Sequence, residues 1–171
     1  MILKGLKEKT NKNYIDKCVK NRVTISNNNK IKTVGVIVDD SEFLDLNWIN
    51  KLQDVLEVKT ENFQIIALTN QKSKTESIYQ NTFSRKDLGW KGNVKTETLK
   101  LFLNKKNDLL ISYYTSDKLP LIFATATSEA KFKVGILEES NTNDLVIKTD
   151  IKDTSTFEKE LVKYLRILNK L

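Results

Sequence analysis

The amino-acid sequence predicts an α/β protein: a mostly parallel sheet of about five strands with helices on both faces, preceded by a basic helix. Three observations carry that expectation. Short β-branched runs alternate with stretches of helical periodicity, the pattern left by crossover connections. The first run, Val34-Gly35-Val36-Ile37-Val38, is apolar without alternation, as a strand buried on both faces must be. The nine basic residues up to Lys32 oppose only Glu8 and Asp16, whereas the rest of the chain is balanced, so the formal net charge of +7 resides in the first 32 residues.

The elements follow in order. Leu3, Leu6, Thr10, Tyr14 and Cys18 recur at helical spacing with lysines between them, which predicts a helix with a thin apolar stripe. Arg22-Val23-Thr24-Ile25 reads as a short extended piece and the polar run from Ser26 to Lys30 as a linker, dividing the chain into a basic helical arm (1–30) and an α/β domain (31–171). After the first strand, Leu44, Trp48, Leu52 and Val55 share a helical face. Phe63 to Leu68 forms the second strand and Leu109 to Tyr113 the third, with Thr96 placed to cap a short helix carrying Leu99, Phe102 and Leu103. Pro120 suits the first turn of a helix running to Ser128, whose small residues permit close approach to the sheet. Phe132 to Leu137 is the fourth strand. About seven polar residues separate it from Leu145-Val146-Ile147, fewer than the dozen or so a parallel crossover needs, so the fifth strand is expected to run antiparallel. Ser155-Thr156-Phe157-Glu158 has capping-box spacing, and Phe157, Leu161, Tyr164, Leu165, Leu168 and Leu171 line the last helix. The whole is a three-layer, Rossmann-like core with an antiparallel last strand.

Composition excludes several chemistries. The chain has no histidine, which removes Ser-His-Asp and Cys-His nucleophile systems and His-ligated metals. Cys18 is the sole cysteine, so neither an internal disulfide nor a structural zinc site can form. Gly5, Gly35, Gly89, Gly92 and Gly135 match neither the phosphate-cradling loop nor the dinucleotide fingerprint. No catalytic residue, metal or cofactor is assigned on this basis. The start lacks a signal-like apolar stretch and no run is long enough to span a membrane, which points to the cytoplasm.

Two sets of residues are candidates for binding. Asp39 and Asp40 end the first strand, where ligands collect in open parallel sheets, although such acids also serve as helix-entry turns. Asp39-Asp40-Ser41 lacks the Asp-x-Asp of haloacid-dehalogenase-like phosphatases, and Tyr113-Tyr114-Thr115 stands where a phosphoaspartate receiver carries its acceptor. The long connection from Asn70 to Lys95 carries Arg85, Lys86, Trp90 and Lys91, a basic and aromatic set fit for a phosphate, a base or a partner, unless its aromatics only pin the loop. Along the arm, Lys4, Lys7, Lys9, Lys12, Lys17, Lys20 and Arg22 are candidates for an anionic surface. The leading expectation is a non-enzymatic adaptor whose body recognises a protein partner while the arm attaches to a membrane surface or to ribosome or RNA. The alternatives are a small enzyme or binding domain for a phosphorylated metabolite, and an RNA- or ribosome-associated protein. Thr125, Thr127 and Ser128 are read as close-packing hydroxyls, and Cys18 as a half-buried residue of the arm's stripe.

Three stretches together resemble a family of small cytoplasmic proteins from flavobacteria and other Bacteroidota, known as a domain of unknown function. They are Ile2-Leu3-Lys4-Gly5-Leu6-Lys7, Lys86-Asp87-Leu88-Gly89-Trp90, and Asn107-Asp108-Leu109-Leu110-Ile111-Ser112-Tyr113-Tyr114 followed by Ala130-Lys131-Phe132-Lys133-Val134-Gly135. The resemblance implies cytoplasmic residence and brings no site residues. The strand at Asp108, the small-residue helix and the strand after Ala130 are also similar in order to the acceptor-side half of heptosyltransferase-like glycosyltransferases. The chain is too short for the second half those enzymes require.

Overall fold

The computed structural model describes residues 2–23, 29–43, 45–70, 77–138 and 141–171. Its centre is β1 (Val34–Asp39), every residue of which is buried. Parallel neighbours flank it on both edges: β2 (Phe63–Leu68) and β4 (Leu109–Tyr113), with Val34 opposite both Phe63 and Leu109. Outward from β2 lies β3 (Thr82–Phe83), and beyond β4 lie β5 (Phe132–Gly135) and β6 (Leu145–Val146). The order is β3-β2-β1-β4-β5-β6, and every pairing is parallel.

Two sequence expectations are corrected here. β6 runs parallel to β5, not antiparallel, pairing Val134 with Leu145 and Gly135 with Val146. A two-residue strand asks the chain to return by only the length of two residues, so the short segment after β5 suffices and no helical crossover is needed. Asp144 anchors that return: its carboxylate accepts from the Lys133 backbone N–H and its own N–H donates to the Lys133 carbonyl. The sheet has six strands because the long connection after β2 contributes β3, a strand too short to show periodicity. Leu44, the stretch from Thr24 to Asn28 and residues 71–76 of that connection lie outside the described residues.

Helices cover both faces. α2 (Leu46–Val55) and α5 (Thr154–Ile167) lie on one face, where Trp48, Ile49, Leu52, Phe157, Leu161 and Leu165 pack on Val34, Val36 and Val38. α3 (Glu97–Asn104) and α4 (Leu119–Thr127) cover the other, over Ile37, Ile66 and Leu110. Asp45 caps α2 by accepting from the Trp48 N–H. α5 is capped by Asp153, which accepts from Thr156, so its cap precedes the expected Ser155. At the opposite end of the sheet, the Asp108 carboxylate accepts from the Lys32 and Thr33 N–H groups and from Lys131 Nζ, fixing the start of β1 against β4 and β5.

The N-terminal helix, α1 (Ile2–Asn21), lies on the body against α4. Its fully buried residues are Asn11 and Ile15; of the expected stripe, Tyr14 packs on the body and Thr10 and Cys18 are half-buried, while Leu3 and Leu6 are exposed. Asn11 donates to the Gly89 carbonyl and accepts from the Gly92 N–H, a polar anchor that hydrophobic periodicity does not register. Tyr14 stacks on Phe123 and covers Gly92, where a Cβ would sit 2.4 Å from the ring and φ is +84°. At the helix's far end Arg22 makes a bidentate pair with Asp144, both contacts 2.6 Å.

Lys133 on β5 is fully buried beneath α4, its Nζ donating to the Thr125 and Ala126 carbonyls at the helix C-terminus. A neutral amine has the two N–H groups these carbonyls require. Burial, and then the Arg22 charge, push its pKa down to about 7. Between that value and the ordinary 10.5 the unfolded chain therefore holds a proton the folded chain does not, and folding is penalised as pH falls across the window. Compared with Lys133→Met, the unsubstituted protein is expected to gain stability as pH rises from 7 to 10.5, measured by urea unfolding at each pH. Parallel pH profiles for the two would disprove the neutral buried amine.

Candidate functional site

Strand order reverses at β1: β2 and β4 leave it on opposite sides, and the crevice outside the carboxyl ends of these strands is where open α/β sheets bind ligands. The shared register brings Asp39, Leu68 and Tyr113 to this edge. A cleft of about 360 Å³ opens there, lined by Asp39, Ser41, Thr69, Asn70, Arg85 and Lys118, with Leu68, Leu119 and Pro120 as its apolar wall. A larger groove of about 460 Å³ lies between α1, α4 and the segment after β5, away from this convergence of polar groups.

Asp39 organises the cleft. It is 2% exposed. One carboxylate oxygen accepts from the Ser41 N–H (2.9 Å) and hydroxyl (2.6 Å), the other from Ser116 (3.2 Å) and Lys118 Nζ (2.5 Å). Burial pushes its pKa up, but the hydrogen bonds from Lys118 and Ser41 outweigh it and hold the carboxyl below its ordinary range. Lys118 also donates to Ser41 Oγ at 2.9 Å, which leaves one ammonium N–H for a ligand. Its side chain is 45% exposed, so the cation is fixed yet accessible. Next to this set, Glu42 accepts from the Thr115 N–H and hydroxyl, joining the loop after β1 to the end of β4.

The structure brings only part of the expected set together. Asp39 and Arg85 line the cleft. Asp40 does not; its charge acts on Tyr79, whose hydroxyl is pushed up first by burial and then by Asp40 and Asp45. Arg85 pairs with Glu8 of α1. Lys86 lines an adjoining pocket, and Trp90 and Lys91 form the exposed tip of the turn that receives Asn11. On α1, Lys4, Lys9, Lys12, Lys17 and Lys20 are exposed and Lys7 is half-buried. The Arg22 guanidinium pairs with Asp144 and donates to the Ala130 and Lys131 carbonyls, which holds it against the body. Thr125, on the sheet-facing side of α4, bridges Ser112 and Tyr114, a packing role.

Lys118, Ser41 and Ser116 were not visible as site residues in the sequence. The one available signal was Ser116-Asp117-Lys118, a polar segment between a buried strand and a proline-opened helix. Among the described residues no group of three or more Cys, Asp or Glu is placed to hold a metal, and no helix is long and apolar enough to cross a membrane.

Residues 7–168 match a family of unknown function (DUF6913), and the chain belongs to that family. No curated protein and no solved structure matches it.

Removing Lys118 leaves the Asp39 carboxylate buried with hydroxyl and amide donors alone. Because the carboxyl is depressed in the folded state, its contribution is present above the ordinary carboxylate pKa of about 4 and is lost as pH falls below it. Lys118→Ala is expected to move acid unfolding, followed by circular dichroism, to higher pH and to cost about 1–2 kcal/mol at neutral pH. That is below the 3–5 kcal/mol of a fully buried pair, because water screens the half-exposed ammonium. Lys118→Arg is expected to retain most of the effect; identical acid midpoints for all three proteins would remove the ion pair from the account.

Proposed function

We propose that this family member binds a small phosphorylated metabolite in the cleft at the carboxyl ends of β1, β2 and β4. The observation that carries the reading is the Asp39–Lys118 pair: a buried carboxylate holds a half-exposed cation in one place, with a donor to spare, where strand order reverses. Arg85 supplies a second cation on the same cleft, and Thr69 and Asn70 supply neutral polar groups beside an apolar wall. Both Asp39 oxygens are engaged by Ser41, Ser116 and Lys118, which favours binding over a nucleophilic role for this carboxylate. Residence in the cytoplasm fits the lone cysteine.

The reading is tested by titrating AMP and glucose 6-phosphate into isotope-labelled protein. Saturable shifts of the Thr69, Asn70 and Lys118 amide signals are expected, with affinity falling about tenfold or more in Lys118→Ala as a charged hydrogen bond is lost. Shifts confined to other surfaces, or none at millimolar ligand, would overturn it.

A second reading concerns the outward face of α1. We also propose that Lys9, Lys12, Lys17 and Lys20 attach the protein to an anionic surface while the body serves as an adaptor for a protein partner. It is favoured by the burial of Asn11 and Ile15 on the opposite face, which keeps these lysines in solvent. Co-sedimentation with phosphatidylserine vesicles and with ribosomes is expected at low salt and to be lost at high salt. Charge reversal of the four lysines without effect on either would exclude this reading.

A further inference from the structure

Beside the cleft lies a second space of about 210 Å³, between the first turns of α1 and the 3-10 turn Arg85–Asp87. Lys4, Lys7, Arg85 and Lys86 line it, and Arg85 and Leu119 border both spaces, so the two adjoin. From this geometry we infer that the pocket holds the phosphate of the cleft's ligand, which makes α1 one wall of the binding site. The inference rests on the cleft reading and adds where the anionic end of the ligand lies.

The charges in the pocket are unbalanced. Glu8 is its one acid and already pairs with Arg85. The neighbouring Asp87 carboxylate is taken by the Ser84 N–H and hydroxyl. Among the described residues Lys4, Lys7, Lys86 and Lys95 make no ion pair. The Lys7 ammonium is pushed down by burial and then by the Lys95 and Arg85 charges, the sign of cations held closer than water alone would leave them. A dianionic phosphate entering the pocket relieves that repulsion. The cluster is also held in position: Asn11, 1% exposed, fixes α1 to the turn after Arg85 through two hydrogen bonds, and Lys7 stands one helical turn before it on the same face. The volume is about seven waters, room for a phosphoryl group with part of its ester.

Pyrophosphate titrated into the full-length protein at low ionic strength, followed by calorimetry and amide shifts, tests the assignment. Saturable binding is expected, centred on Lys7, Arg85 and Lys86, and at least tenfold weaker in the double variant Lys7→Ala/Lys86→Ala. Unchanged circular dichroism and urea midpoint in the double variant show that the fold is intact. Binding that the double variant leaves unchanged overturns the inference, as does the absence of saturable binding. AMP binding lost in Lys118→Ala but kept in the double variant would overturn it while leaving the cleft reading in place. Loss of binding to phosphatidic acid vesicles, with pyrophosphate binding retained, would give the pocket to a lipid headgroup and overturn the soluble ligand.

Discussion

The enclosure of β1 is the constraint from which the rest of the molecule follows. A strand paired on both edges and covered on both faces has no solvent-facing side, so its residues must be apolar up to the point where the chain leaves the sheet, as the first five of its six are. Asp39 is the sixth, and a carboxylate survives in that position only with strong partners around it. Those partners come from the loop after β1 and from the entrance of α4, which ties the exit of the central strand to the start of the helix in the crossover from β4 to β5. Asp108 performs the converse task at the other end, holding the start of β1 to β4 with backbone N–H groups as donors. With both ends fixed, the strand termini align and the cleft is a geometric result of the register.

Physics also explains which parts of this were legible in the sequence. β1, β2 and β4 stand close to where their apolar runs place them, because doubly buried parallel strands cannot tolerate polar interruption. β3 carries no such run; its two residues are strand only because Ala67 and Leu68 offer a free edge beside them. The direction of β6 turned on how far the chain must travel back, and loop length alone does not report that when the strand is two residues long. In the site, Asp39 could be seen because strand ends announce themselves. Lys118 could not, since its link to Asp39 spans 79 positions and exists only once β4 lies next to β1.

α1 shows the same division between pattern and contact. Its apolar residues at helical spacing suggested one face, yet the face that docks is chosen by an asparagine whose amide meets both a carbonyl and an N–H of one tight turn. Such a contact has direction, which a thin stripe of leucines lacks. It turns the helix so that Lys7 faces the Arg85 turn while Lys9, Lys12, Lys17 and Lys20 face outward, giving one charged helix two chemically distinct sides.

The parallel sheet has a consequence for how the chain is assembled. No neighbouring pair of its strands is joined by a hairpin, so no ladder forms from residues adjacent in sequence, and topologies of this kind fold slowly for their size. α1 is translated before everything it packs against: the turn that receives Asn11 and the α4 surface under Tyr14 emerge from the ribosome much later. Until α4 has been made, this lysine-rich helix lacks the surface on which Tyr14 rests, and its docking can only follow the synthesis of that helix.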